Sequence, residues 1–371
     1  MPLPSLESLA KRIYDHLPRG WTAGLDMVLR RRHGRHRAPA RLDVMTAVAG
    51  PDVDVVQVML LSLSESHPRD RIEFWFLHLP LPRPVLDGLV QFCETLPNLT
   101  LHLVAVPDTQ PFVHLSKIGA RPYGARYLWL AAHEHLPADL SRVIFLDPLD
   151  IIVADDLVPF LHHPFFGKYI VACREVPSVP PLMIGPAQRA HARGRRQRTI
   201  LRVSKGVMNS GAIVLNLDKF RRDGIGIDDY IAVGEWAQGL GMTFGDQGLF
   251  SLTHGSHYTQ AHDRWNFRFF NTARRPQRLR AAVVHFAGNI PKPFHLRLTP
   301  QEEARITDVM AQRGLYKMPI HRNQMISPVY FPYYRAWWAI CARTPVHDRI
   351  APLADATTAR LLAGLDLLAQ D

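Results

Sequence analysis

The chain has 371 residues, 47% hydrophobic and 21% charged, values that exclude a mostly disordered polymer and allow one large domain or two of ordinary size. Lys plus Arg number 44 against 33 Asp plus Glu, a net charge of +11, which favours an anionic partner (nucleotide, phosphorylated lipid, membrane surface or nucleic acid) without choosing among them. No run approaches about 18 consecutive apolar residues, so no spanning helix is expected; Met1 to Ala10 lacks a leader pattern, and the dispersed Cys93, Cys173 and Cys341 suit a reducing compartment.

Residues 1–41 read as a basic helical arm. Ser5 is a candidate N-cap, and Leu6, Leu9, Ile13 and Leu17 follow at helical spacing. The run Arg30 to Arg37 is either a solvated segment or a contact for acidic lipid headgroups. From Asp43 the texture alternates. Strands are expected at Val44–Ala49, Ile72–Leu79, Leu101–Val106 and Arg142–Leu146, and helices at Val55–Leu63, Val85–Thr95 and Tyr123–Glu134. This alternation predicts an α/β fold, a mostly parallel sheet with helices on both faces, whose ligands sit at the carboxyl ends of the strands. Residues 177–205, rich in Pro and Arg, read as a long basic loop that is either functional or disordered. Val207–Leu217 and Ala281–Phe286 return to strand character around a short helix at Phe244–Leu252. Residues 299–371 read as a helical extension, and its aromatics, Tyr330, Phe331, Tyr333, Tyr334, Trp337 and Trp338, read as packing rather than a lipid anchor.

Four short segments carry candidate chemistry. In Val143–Val153 an apolar strand runs out into Asp147 and Asp150, oxygen ligands suited to a hard divalent cation or, equally, the residues of a plain turn around Pro148. His285 lies near the end of a strand, followed by Gly288 and Lys292: a candidate metal ligand, a site of close backbone approach and a phosphate-binding charge, or else a core histidine and a surface lysine. Asn209-Ser210-Gly211 opens a strand, as a turn or as a sugar-binding amide. Asp246-Gln247 opens a helix, where Asp246 also suits an N-cap.

The order of these segments resembles glycosyltransferase family 8, retaining sugar transferases of the GT-A fold that include bacterial lipopolysaccharide-type galactosyl- and glucosyltransferases. The family pattern runs L-D-x-D, N-x-G, D-Q, W-N and H-F-x-G followed by K-P-W. This chain shows Leu146-Asp147, Asn209-Ser210-Gly211, Asp246-Gln247, Trp265-Asn266, His285-Phe286-Ala287-Gly288 and Lys292-Pro293-Phe294. The likeness spans roughly 43–295 and implies a GT-A domain over 42–298. It implies that Asp147, Asp150 and His285 hold Mn²⁺ or Mg²⁺ on a UDP-sugar. It also implies that Ala49, Asp52 and Arg126 meet the nucleotide, with Asp147 open to a ribose contact. Gly288 and Lys292 then touch the diphosphate, Gly211 also meets the nucleotide-sugar, and Asn209, Asp246 and Gln247 face the donor sugar. Two spacings depart from the family: the carboxylates are D-x-x-D, and His285 to Lys292 is one residue longer.

Residues three apart on a straight strand point to opposite faces. One cation can therefore take both carboxylates only if the strand ends at Asp147 and Pro148 begins a turn. Otherwise Asp150 alone meets the metal and Asp147 serves the ribose or Arg126, or the segment is a plain turn. The resemblance implies same-face transfer of a hexose through an oxocarbenium-like transition state, with Gln247 helping near the anomeric carbon and Asp246 holding donor hydroxyls. The acceptor is then a glycan or lipid-linked sugar, with peripheral contact to an anionic membrane, a cytoplasmic location at a bacterial inner membrane, and no nucleic acid. The alternative is an altered GT-A-like domain that binds nucleotide or glycan without metal-dependent transfer.

Overall fold

The computed structural model describes residues 21–34, 37–175, 208–255, 257–269, 280–321 and 324–369. The expected helix at the start of the arm and the basic loop at 177–205 lie outside these residues.

The central element is a seven-stranded sheet in the order β3-β2-β1-β4-β7-β6-β8. Its strands are β1 (Arg41–Ala47), β2 (Arg71–His78), β3 (Leu99–Ala105), β4 (Arg142–Leu146), β6 (Ile170–Arg174), β7 (Met208–Asn216) and β8 (Thr259–Gln260). The strands from β3 to β4 pair in parallel, while β7 runs antiparallel to both β4 and β6. Side chains alternate across the sheet, so each strand feeds two cores. Val44, Phe74 and Ile144 pack on one face with Met59, Leu60 and Leu63 of the helix Val56–Ser66. Met45, Leu77 and Phe145 pack on the other with Leu128, Trp129 and Phe250. That two-sided burial explains why β1 and β2 read as near-continuous apolar runs.

The expected helix at Tyr123–Glu134 is instead a 3₁₀ segment, Gly124–Ala131, closed by one α turn, Ala132–His135. It is wedged against the helix Gln110–Ile118, so closely that a Cβ at Gly124 would sit 2.7 Å from the Phe112 carbonyl oxygen. That short helix was not legible, because Pro111 at its start and its small length mask the period.

A second, three-stranded sheet has the order β5-β10-β9, with β5 (Ile151–Val153), β9 (Phe267–Arg268) and β10 (Val283–His285). It rests on a third core built with the C-terminal helices Pro300–Gln312, Phe331–Cys341 and His347–Ala369. The aromatic cluster packs there, with Trp337 fully buried. Tyr334 Oη donates to the Pro291 carbonyl at 2.6 Å and Trp338 Nε1 to that of Leu296 at 2.8 Å. The extension thereby braces the segment that carries Lys292. It also contains a hairpin, β11 (Met318–His321) with β12 (Gln324–Ile326), where only helix was expected. Among the described residues no helix is long and apolar enough to cross a membrane.

Candidate active site

Strand register assembles the site. Strand β4 ends at Leu146, and Asp147 to Asp150 form a bend before β5 begins at Ile151. Pro148 suits this bend because its φ is preset and it needs no hydrogen-bond partner for nitrogen. The β4–β7 pairing sets Leu146 opposite Ala212, and Asp147 N–H donates to the Gly211 carbonyl at 2.8 Å. The β5–β10 pairing sets Ile151 opposite His285, and Phe286 N–H donates to the Asp150 carbonyl at 2.8 Å. Two different sheets thus deliver Asp147, Asp150 and His285 to one point.

Ligand-type atoms of these three residues lie within 4.8 Å of one another. His285 Nε2 stands 3.4 Å from Asp150 Oδ1, which is buried without a hydrogen-bond partner, and Lys292 Nζ caps Asp150 Oδ2. Burial alone would raise the Asp150 carboxyl, but Lys292 and then His285 hold it well below the usual carboxylate range. Asp147 goes the other way, pushed up to about 7 by burial and by the charge of Asp150. Burial opposes the charge on Lys292, but Asp150 and Asp147 outweigh it and raise the ammonium pKa. Two carboxylates, one of them with an orphaned buried oxygen, and an imidazole form a donor set that fits Mn²⁺ or Mg²⁺.

Gly211 makes this arrangement sterically feasible. A Cβ there would lie 2.0 Å from His285 Cε1 and 2.2 Å from Nδ1. Gly211 therefore works by omission: the imidazole occupies the volume of its missing side chain.

Beside the cluster opens a cleft of about 360 Å³ lined by Ala49, Asp52, Tyr123, Arg126, Asp147 and Asp246, among others. Arg126 Nε is buried there without a hydrogen-bond partner. Asp246, in the first turn of the helix Asp246–His254, accepts from Trp129 Nε1 at 2.8 Å; the N-cap of that helix is Gly245, not Asp246. Asp52 is paired with Arg349 of the C-terminal extension at 3.2 Å, so the extension reaches the rim of the cleft. Gly288 sits just beyond β10 at φ 92°, a conformation that favours glycine.

On the other side, Gln247 Oε1 accepts from Ser210 N–H at 3.2 Å, and Asn209 Oδ1 accepts from Gly211 N–H at 3.0 Å. Both amides donate to Glu175, Asn209 Nδ2 at 2.8 Å and Gln247 Nε2 at 3.1 Å, and Glu175 is also paired with the fully buried Arg268. Burial lowers the Arg268 pKa to about 10. Sequence reasoning named Asn209 and Gln247 but missed Glu175 and Arg268. Glu175 stands alone at the end of β6, and only the fold turns it inward.

A second group of ligand type, His67, Asp70 and Asp156, is occupied by the protein itself. Arg37 donates to Asp70 at 2.6 and 2.7 Å and to Asp156 at 3.2 Å. Leu157 N–H donates to His67 Nε2 at 2.8 Å, and His67 Nδ1 meets the Leu63 carbonyl at 2.9 Å. Arg37 is thus a structural ion pair and not a free lipid contact. Arg30 is partly engaged by Asp26 at 3.7 Å, while Arg31 and Arg32 are exposed on a helix over 21–33.

A Rossmann-like sheet with an acidic turn at the carboxyl end of β4, faced by a histidine from a second sheet, defines a glycosyltransferase of the GT-A fold. Residues 120–296 match Glycosyl transferase family 8. No curated protein sequence matches the chain. Among solved structures, galactosyltransferase LgtC in complex with donor and acceptor sugar analogs is similar with a TM-score of 0.51 and 19% identity, over 75% of this chain and 98% of that one. An active-site mutant of LgtC gives 0.51 and 21% over the same shares. The apo bifunctional glycosyltransferase WbbM gives 0.53 and 13%, over 85% of this chain and 51% of that one. At these identities the likeness is one of fold.

Proposed function

We propose that the enzyme is a retaining transferase that moves a hexose from a UDP-sugar to a glycan or lipid-linked acceptor with help from a divalent metal. The observation that carries this reading is the convergence of Asp150, His285 and Lys292 with Asp147, which lines a cleft of nucleotide size. Asp147, Asp150 and His285 are the residues that would hold the ion, which would neutralise charge on the departing diphosphate. Lys292 adds a second positive charge at the same place. In this reading Arg126, Ala49 and Asp52, which line the cleft, meet the nucleotide, and Asp246, Asn209 and Gln247 meet the donor sugar. Gln247, held by Ser210 and Glu175, is suited to stabilise an oxocarbenium-like centre during same-face attack.

Screening UDP-sugars for Mn²⁺-dependent hydrolysis tests the proposal. Binding tests it too: UDP with Mn²⁺ at about 100 times its dissociation constant adds roughly 2.7 kcal/mol of stability, and UDP with EDTA adds less. No response to any nucleoside diphosphate overturns the reading. A second reading, nucleotide or glycan binding without metal-dependent transfer, draws on the Lys292–Asp150 pair, which already neutralises one carboxylate. Binding of UDP without hydrolysis of any donor selects it. Peripheral contact with an anionic bilayer is supported by Arg31 and Arg32 beside the exposed Trp21, Met27 and Val28 on the same helix. Flotation on acidic but not neutral vesicles, weakened by salt, checks that contact.

A further inference from the structure

The site contains an uninterrupted chain of polar side chains whose direction is set at one end. Glu175, paired with Arg268, is a carboxylate and can only accept hydrogen bonds. Asn209 must therefore turn its Nδ2 toward Glu175, at 2.8 Å, and its Oδ1 the other way. Gly211 N–H, a donor whose identity is not in question, meets that Oδ1 at 3.0 Å and fixes the same orientation independently. Asn266 Nδ2 then donates to Asn209 Oδ1 at 2.8 Å, which leaves Asn266 Oδ1 facing His285 Nδ1 at 2.9 Å. An amide oxygen can only accept, so His285 Nδ1 carries a proton. Asn209, Asn266 and His285 are each at most 6% exposed, so water does not compete along the chain.

We propose that Glu175 is a positioning residue that acts through Asn209 and Asn266 to hold the neutral His285 ring as the Nδ1–H tautomer, so that its Nε2 lone pair faces Asp147 and Asp150. The pairing of a ligand histidine with a hydrogen-bond acceptor on its far nitrogen is a general device for orienting the ring and keeping it basic toward a metal. Here the acceptor is a neutral amide, and the charge that polarises it lies two residues further back. The same Glu175 oxygen that receives Asn209 also receives Gln247 Nε2, whose Oε1 is pinned by Ser210 N–H. One carboxylate thus sets both the proposed metal ligand and the proposed sugar-side amide. The inference extends the transferase reading to a residue outside the motifs that suggested it.

The test is ¹⁵N NMR of the histidine rings in the metal-free, donor-free protein at pH 8, with His285 assigned by its loss in His285→Gln. The expected wild-type result is a protonated-type Nδ1 and a lone-pair-type Nε2. A proton on Nε2, in place of or in addition to that on Nδ1, overturns the inference whatever the enzyme's substrate proves to be. In Glu175→Gln the side chain can also donate, so one of the two contacts that orient Asn209 is lost and Gly211 N–H alone opposes its reversal. The expected outcome is a mixed or reversed tautomer and Mn²⁺ affinity, read by electron paramagnetic resonance, lower by about 10–100-fold. Glu175→Asp keeps the charge beside Arg268 but withdraws the carboxylate by one methylene, and it stands in if the glutamine variant does not fold. An unchanged tautomer in the folded variant refutes the role of Glu175. Unchanged tautomer control with no donor turnover refutes the transferase reading alone.

Discussion

Replacing Gly211 with alanine is expected to damage the site by displacing a single ring. The new methyl carbon would lie 2.0 Å from His285 Cε1 and 2.2 Å from Nδ1. Ordinary contacts between such atoms are about 3.5–4.0 Å, so the ring must retreat by roughly 1.5 Å. The Nδ1 bond to Asn266, 2.9 Å in the native protein, does not survive a shift of that size. Overpacking costs about 1–3 kcal/mol and a buried donor and acceptor left unmade about 1–3 kcal/mol more. The combined loss of roughly 2–6 kcal/mol lowers the melting temperature by on the order of 5–10 °C. Because Nε2 moves with the ring, Mn²⁺ affinity falls as well, by about tenfold or more. Thermal unfolding by circular dichroism and Mn²⁺ titration by electron paramagnetic resonance read the two effects separately. A variant with native melting temperature and native Mn²⁺ affinity refutes the claim that this glycine exists to admit the histidine.

The carboxylate pair predicts opposite pH responses with and without metal. Asp147 is raised to about 7 by burial, so between its unfolded value near about 3.9 and that pH the native state holds a proton the unfolded state has lost. Metal-free stability therefore falls as pH rises through this window. Mn²⁺ affinity rises over the same window, by up to about tenfold per unit, and levels off above it; a flat Mn²⁺ profile from pH 5 to 8 contradicts the assignment of Asp147. Lys292→Ala leaves Asp150 without its cation. The expected cost is about 2 kcal/mol, less than the roughly 3–5 of a fully buried pair because the lysine side chain is 39% exposed. Mn²⁺ should then raise the melting temperature of the variant more than that of wild type, and an equal shift in both contradicts competition for Asp150. Gln247→Ala and Asp246→Asn are expected to lower kcat and kcat/KM together while leaving UDP affinity within about threefold. Native turnover in both removes them from the proposed sugar side.

The N-terminal half of the sheet was legible because strands buried on both faces must be apolar throughout, and β1, β2 and β4 fall within a few residues of their expected positions. The order of the short motifs was legible too, since the chemistry they imply tolerates few residue types: carboxylates for a hard cation, an amide beside a glycine, a histidine at a strand end. Local sequence could not say whether Asp147 and Asp150 act together, because D-x-x-D is equally a turn, and the choice depends on where β4 stops and what β10 brings beside it. Nor could it say that the empty volume at Gly211 admits a ring that lies 74 residues further along the chain. Arg37 looked like part of a free basic run and is instead an internal ion pair, since Asp70 and Asp156 reach it from separate segments. Glu175 carried no local signal at all: a lone glutamate after a strand has no pattern, and it acquires meaning only when β7, β9, β10 and the turn before β9 bring Asn209, Arg268, His285 and Asn266 into one hydrogen-bonded line. Periodicity and residue chemistry are properties of neighbours in sequence. Register between strands, which decides which carboxylate meets which imidazole and which amide points which way, exists only once the sheets have formed.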